Sequence, residues 1–257
     1  MRFVPLASGS HGNATLVEFG EVRLLVDAGV SARQLANRLR AVGVEPESVR
    51  CVLLSHEHQD HSRGAERFSK THGVPLACTP ETLDALDLSP LHVAEWWALP
   101  EAGTLDLGGV QVDSFPVPHD AARPVGFVLR GEGLRVGIAL DLGHATTLVR
   151  ERLRGCEVLM VESNHDEALL RDGPYPWQLK QRVGGRLGHL SNQETAALLR
   201  QTVSPECRAV VLGHLSEKNN TQALVRRTAG GAVYEAGGRR TELRIASARR
   251  LTPPIVL

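Results

Sequence analysis

Residues 54 to 64, "LSHEHQDHSRG", decide how this chain is read. His56, His58, Asp60 and His61 fall within six positions and follow directly on an apolar run, "VRCVLL", at 49 to 54. A short aliphatic run of this kind reads as a buried strand. A turn at the end of a strand aims alternate side chains at one point, which pairs His56 with His58. Asp60 and His61 then reach toward a second point, at the roughly 3.5 to 4 Å separation of ions in two-metal sites. Imidazole nitrogens and carboxylate oxygens are the donors that hydrolytic divalent metals take. We therefore expect the turn to hold metal rather than to be a solvated histidine-rich loop.

The 257 residues suit one large α/β domain spanning 1–257. A compact chain of that length buries roughly three quarters of its unfolded surface, so any metal serves chemistry rather than folding. A hydrophobic fraction of 42% with 23% charged residues is that of an ordinary globular protein. No apolar run approaches the ~18 residues of a membrane span, so no membrane partner is expected. The N-terminus, "MRFVPLASGS", has no long apolar signal core, and Cys51, Cys78, Cys156 and Cys207 stand far apart without a CxxC pair. They read as reduced thiols filling core space in a cytoplasmic protein. Net charge is zero but unevenly spread, with eight acidic residues and no Lys or Arg from Thr71 to Ala122. Asn220 to Leu257 holds seven arginines against Glu235 and Glu242. Such asymmetry fits either a polyanionic partner or solvated faces that differ in sign.

The chain begins with strand-like runs, "RFVPLA", "TLVEF" and "VRLLVD", separated by glycine turns, which predict a β-meander. Ser31 caps a helix through "SARQLANRLRAVG", with Leu35, Leu39 and Val42 on one face. After the histidine turn come a helix over Ser62 to Thr71, a strand "VPLAC", and a helix capped by Thr79 with Pro80 in its first turn. From Thr104 to Leu140 strand follows strand, which predicts a second sheet of antiparallel character. Helices and strands alternate afterwards through "ATTLVRERLRG", "EVLMVE", "SNQETAALLRQT", "RAVVLGH" and "TQALVRRTAG". Ser191 and Glu194 form a capping box.

Further metal donors are expected at strand ends. His119 follows "DSFPVP", Asp141 follows "RVGIAL" and His214 follows "RAVVLG". Each alone reads as an ordinary polar residue at a strand end, but together with the histidine turn they become ligand candidates. Between Asp141 and His214 lie "ESNHDE" (162 to 167) and "GGRLGHLSNQET" (184 to 195). His189 is positioned to give a proton to a leaving alkoxide, with Glu162 orienting it. Lys180, Arg182 and Arg186, with no acidic residue between Gly173 and Gln193, suit backbone phosphates. The turn "SGSHGN" (8 to 13) reads as either an anion-holding nest or a plain hairpin turn. His11 and His165 read as supporting or surface residues, and His72 and His92 carry no assigned role.

With "HEHQDH" complete at 56 to 61, nearly the whole chain resembles the metallo-β-lactamase superfamily. The resemblance implies an αββα sandwich, a metallo-β-lactamase-like fold of the α/β class. It places His56, His58 and His119 on one ion and Asp60, His61 and His214 on the other, with Asp141 bridging. Asp27 matches the superfamily's first motif, a residue that supports the site from outside it. Seven donors without sulfur suit Zn²⁺, Mn²⁺ or Fe²⁺. Two such ions lower the pKa of a shared water and polarise a carbonyl or phosphoryl oxygen, so hydrolysis is the expected reaction class, with Asp60 part of that machinery.

Side motifs narrow the resemblance. "LASGSHGNATLVE", "SHEHQDH", "VPHDA", "ESNHD", "GHLSN" and "LGHLSEKNN" look like marks of the YycJ/WalJ branch. That branch implies a 5′-to-3′ DNA exonuclease with manganese as a frequent activator, 5′-mononucleotides as products, phosphorylated 5′ ends as partners and DNA repair as a setting. It also tips Ser8, Ser10 and Asn13 toward lining the substrate end. Two other readings share the metal site: a small-molecule metallohydrolase (a cyclic phosphodiesterase or thioesterase), and a non-catalytic regulatory metalloprotein. Oligomeric state has no signature in these residues.

Overall fold

The structure, a computed structural model, describes residues 1–88 and 92–257. Six strands begin a first sheet: β1 (Arg2–Ala7), β2 (Ala14–Phe19), β3 (Val22–Val26), β4 (Cys51–Leu53), β5 (Leu76–Cys78) and β6 (Trp96–Ala98). Seven more build a second: β7 (Gly103–Asp106), β8 (Gln111–Pro116), β9 (Val125–Gly131), β10 (Leu134–Ala139), β11 (Val158–Glu162), β12 (Ala209–Gly213) and β13 (Glu242–Ile245). The last strand, β14 (Ile255–Val256), returns to the edge of the first sheet, with Ile255 opposite Phe3.

Both sheets change character halfway. The meander β1–β2–β3 is antiparallel, as expected, and β3 through β6 then pair in parallel. In the second sheet β7 to β10 are antiparallel, matching the expectation for that run, but β10 through β13 are parallel. Parallel strands need crossovers, and helices supply them. On the first sheet these are α1 (Ala32–Ala41), the short α2 (Gln59–Ser62), α3 (Ala65–His72) and α4 (Pro80–Ala85). On the second they are α5 (Thr147–Leu153), α6 (Glu167–Asp172), α7 (Trp177–Val183), α8 (Asn192–Thr202) and α9 (Gln222–Glu235).

Strand alternation shows why the sheets stack. In β11, Val158 and Met160 face the other sheet while Leu159 and Val161 face the helices. In β2, Val17 and Phe19 face inward while Ala14 and Leu16 pack under α1 and α3. A strand buried on both faces cannot end a layer, so helices must cover each outer face. The result is the four-layer αββα sandwich that the motifs implied.

The helix expected near Ser62 to Thr71 is α3, and the histidine turn before it holds a short helix of its own. The chain from Ser62 to Thr71 breaks at Gly64, whose N–H donates to the Ala28 carbonyl at 2.8 Å. A Cβ there would sit 2.2 Å from the Val30 carbonyl oxygen, so only glycine allows this approach. The break turns Gln59–Ser62 into a separate short helix that carries Asp60 and His61. Strands β6, β13 and β14 and helices α6 and α7 lie beyond the elements expected from the sequence.

Strand ends deliver the polar residues to one edge of the sandwich. Asp27 follows β3, Asp141 lies just after β10 and His214 follows β12, and all three have left-handed backbones, with φ of 61°, 56° and 50°. Among the described residues only Asp87 and Glu132 also do so outside glycine. Such conformations are uncommon for residues with a side chain, and they concentrate where function over-determines the backbone.

Candidate metal centre

Three overlapping groups of four side chains converge at that edge, one of them Asp141, Glu162, His189 and His214. Donor atoms of His56, His58, His119 and Asp141 lie within 4.8 Å of one another, and so do those of Asp60, His61, Asp141 and His214. Asp141, 2% exposed, belongs to all three. Its Oδ2 lies 3.4 Å from His56 Nε2, 3.1 Å from His61 Nε2 and 3.6 Å from His119 Nε2. His58 Nδ1 and His119 Nε2 are 3.3 Å apart, and His214 Nε2 is 3.2 Å from Asp60 Oδ2. Two ligands about 2.1 Å from one tetrahedral ion stand about 3.4 Å apart, so these spacings suit shared cations.

The outer nitrogens are tied back. His56 Nδ1 meets Ser55 Oγ at 3.0 Å, His61 Nδ1 meets Asp27 Oδ2 at 2.7 Å and His119 Nδ1 meets the Gly188 carbonyl at 3.1 Å. Each ring thereby leaves its Nε2 facing the centre, the arrangement that orients imidazole ligands. Asp27 itself is fixed by the Ser55 N–H and hydroxyl, both donating to Oδ1 at 2.9 Å.

Buried polar atoms at the centre remain unsatisfied. His56 Nε2, Asp141 Oδ1 and His214 Nδ1 have no hydrogen-bond partner, although the last two lie 2.6 Å apart. Contact without hydrogen-bond geometry leaves both atoms wanting a partner, at about 1 to 3 kcal/mol for each group so stranded. A pair of divalent cations would satisfy these atoms, and the all-N/O donor set fits such ions.

Electrostatics agree. Burial, with His61 alongside, holds the His56 imidazole down at about 4, and burial likewise lowers His119. Burial opposes charge on His61 and His214 too, but Asp141, with Asp27 at the first and Asp60 at the second, raises both well above the ordinary histidine value. Burial would raise Asp141, yet the His214 and His61 imidazoles hold it well below the carboxylate range. Imidazoles held in this way would give up protons on taking a metal.

A cleft of about 290 Å³ opens over the centre, lined by His58, Asp60, His119, Asp141, His189 and His214 among others. His189 Nδ1 contacts Glu162 Oε2 at 3.0 Å, leaving Nε2 as its free end. Burial disfavours charge on His189, but Glu162 outweighs it and raises the imidazole above its ordinary value. Glu162 is fully buried and also accepts the Leu142 and Leu190 N–H groups.

The expected substrate residues divide. Ser10 and Arg182 line the cleft. Ser8 and Asn13, 4% and 1% exposed, lie beneath it instead. Ser8 Oγ accepts the His214 N–H at 2.9 Å, and Asn13 Nδ2 lies 3.0 Å from His61 Nε2, so both brace the centre from below. Lys180 and Arg182, two residues apart, point about 200° apart around α7. Lys180 therefore leaves the cleft and donates to the Arg171 carbonyl at 2.6 Å. Arg186, beyond the end of α7, turns to His144 Nε2 at 3.1 Å, while Arg182 pairs with Asp120 at 2.6 Å. His165 is buried at the start of α8, where its backbone bridges Ser191 and accepts the Asn192 N–H. His11, 67% exposed, pairs with Glu217 at the surface.

Several cleft residues escaped the sequence reading, Asn164 and Tyr175 among them. Asn164 donates from Nδ2 to the His214 carbonyl at 2.9 Å, so the left-handed His214 is pinned at its N–H by Ser8 and at its C=O by Asn164. Tyr175 lines the cleft ahead of α7. The motif "ESNHD" pointed at this neighbourhood, but asparagine carries no metal or proton signature that periodicity reveals.

Comparison with known proteins agrees with this geometry. Residues 22–215 match the family model described as "Beta-lactamase superfamily domain". The chain is 32% identical over 240 residues to "Exodeoxyribonuclease WalJ" of Streptococcus pneumoniae serotype 2, covering 90% of this chain and 87% of that protein. It is 29% identical over 239 residues to "Exodeoxyribonuclease YycJ" of Bacillus anthracis, covering 92% and 90%. Among solved structures, the metallo-β-lactamase fold protein YhfI of Bacillus subtilis superposes with a TM-score of 0.75 over 98% of both chains at 16% identity. Among the described residues no helix is long and apolar enough to cross a membrane. With the family model spanning most of its length and WalJ aligned nearly end to end, this chain belongs to the metallo-β-lactamase superfamily of hydrolases, in the branch of WalJ and YycJ.

Proposed function

We propose that the protein is a two-metal phosphodiesterase that shortens DNA from a 5′ end and releases 5′-mononucleotides. The observation that carries this reading is the single buried carboxylate, Asp141, shared by two His/Asp groups at the floor of a cleft that also holds the His189–Glu162 pair. His56, His58 and His119 would hold one cation, Asp60, His61 and His214 the other, with Asp141 between them. Divalent cations held there would supply an activated water and charge neutralisation at the phosphate. An O/N donor set without thiolate favours Mn²⁺ or Zn²⁺, with Fe²⁺ also compatible.

His189 donates a proton from Nε2 to the departing 3′-oxygen. Glu162 fixes the ring through Nδ1 and stabilises its protonated form. Asp27 sets the orientation of His61, and Ser8 and Asn164 hold His214 where its ring reaches Asp60. Ser10 and Arg182 are placed for phosphate oxygens. The DNA substrate rests on the names of the relatives, and a terminal 5′-phosphate is the expected handle. A cytoplasmic setting and a role in DNA repair complete the reading.

The test uses protein loaded separately with Mn²⁺ and Zn²⁺, DNA labelled at either end with a 5′-phosphate or 5′-hydroxyl, and a thioester as the competing substrate class. Mononucleotide release from the 5′ end supports the reading. Thioester turnover with intact DNA overturns it in favour of a small-molecule hydrolase, and turnover of neither substrate favours a regulatory metalloprotein.

A further inference from the structure

Helix α7 separates two pockets. Leu179, Arg182 and Val183 face the catalytic cleft, whereas Trp177, Lys180, Gln181 and Gly184 line a second pocket of about 320 Å³ on the other side. Both sets follow the three-and-four spacing of a single helical face. None of the seven residues of α7 is buried, so neither face is committed to the core. Trp177 keeps 69% of its surface in water, an unusual place for the largest rigid apolar side chain.

The second pocket has an apolar side and a polar floor. Leu170 contributes the first, and His165, 3% exposed with no hydrogen-bond partner at Nδ1, contributes the second. Two carboxylates also border it, both turned to the start of α8, where they accept hydrogen bonds and keep their charge. Glu167 accepts the Ser191 hydroxyl at 3.0 Å and Glu194 accepts the Ser191 N–H at 2.8 Å. Lys180 donates to a neutral carbonyl, which leaves its charge in place. An exposed indole beside a lysine is the combination with which proteins hold unpaired nucleic-acid strands, by stacking on bases of any sequence and pairing with the backbone.

Resting on the DNA reading above, we propose that this pocket is a nucleobase subsite. Trp177 stacks on an unpaired base of the strand whose scissile phosphate lies in the cleft, and Lys180 holds a phosphate next to that base. A helix with its side chains is about 10 to 12 Å across. At 3.4 Å or more per nucleotide, the strand crosses α7 within about three nucleotides. The subsite therefore acts on a nucleotide near the cut one, and it favours a frayed or single strand because a paired base has no free face to offer.

Binding separates this inference from the reading beneath it. Metal-loaded protein is titrated into a 3′-fluorescein, 5′-phosphorylated, phosphorothioate-linked oligothymidylate, which resists cleavage, and anisotropy is read. Trp177→Ala should weaken binding roughly 5- to 100-fold, and Trp177→Phe should keep most of the affinity. In the parent protein, an abasic residue at one of the first few positions should weaken binding by a similar factor. In Trp177→Ala that abasic residue should change nothing further. Equal affinities for parent and Trp177→Ala, or a flat abasic scan in the parent, overturn the subsite while DNA degradation still supports the exonuclease. Failure of the parent to degrade or bind DNA removes both.

Discussion

The metal centre and the wall formed by α7 stand on opposite sides of one cleft and are built in opposite ways. At the centre most side chains are buried, with His58 and Asp60 half-buried, several are tied behind by a partner, and the backbones of Asp27, Asp141 and His214 are left-handed. On α7 nothing is buried, and contacts such as Arg182–Asp120 are made in solvent. The first region is over-determined, so changes there should abolish function outright. The second is adjustable, so changes there should tune affinity by modest factors.

Asp141→Ala should have the largest effect, since it removes the carboxylate common to both groups. Turnover should fall to background and the metal content below two ions per chain, measured by elemental analysis beside kinetics. Next, His189→Ala should cut the rate by ~10² to 10⁴-fold, the usual size for loss of a general acid, while both ions stay bound. Parental turnover in that variant would remove His189 from the chemistry. Asp27→Asn should be milder, because it loosens His61 without removing a donor to the cation. A loss of about 10- to 100-fold in metal affinity or activity is expected, recoverable in part by excess metal.

On the α7 side the effects shrink. Arg182→Ala should weaken DNA binding and lower the slope of log affinity against log salt by about one, whereas Arg186→Ala, turned away to His144, should leave that slope unchanged. If both variants shift the slope equally, the division of the two faces drawn here is wrong. The smallest effect concerns the thiols, all four of them buried. Burial pushes Cys78, Cys156 and Cys207 up to about 12, so a thiol reagent at neutral pH should label none of them until the protein is unfolded.

The same contrast explains what could be read from sequence. "HEHQDH" was legible because six consecutive positions carry four donors behind an apolar strand, and the strand runs themselves alternate or stay buried. His119, Asp141 and His214 were legible because each stands just past such a run. Lys180, Arg182 and Arg186 read as one basic patch, yet the helical turn sends Lys180 and Arg182 to opposite sides and Arg186 lies past the helix end, and periodicity is silent in a helix with no buried face. Ser8 and Asn13 looked like anion ligands because a glycine-rich turn carries hydroxyl and amide groups either way. Only the folded chain shows that Ser8 binds the His214 backbone. The parallel halves of both sheets were hidden for a related reason, since pairing direction leaves no mark on an apolar strand buried on both faces.

The central claim is that Asp141 lies between two cations, and anomalous diffraction from crystals of Mn²⁺- or Zn²⁺-loaded protein tests it most directly. Two peaks about 3.5 to 4 Å apart are predicted, one among His56, His58 and His119 and one among Asp60, His61 and His214, with Asp141 in contact with both. A single peak that leaves either group of side chains without an ion at saturating metal would contradict the account.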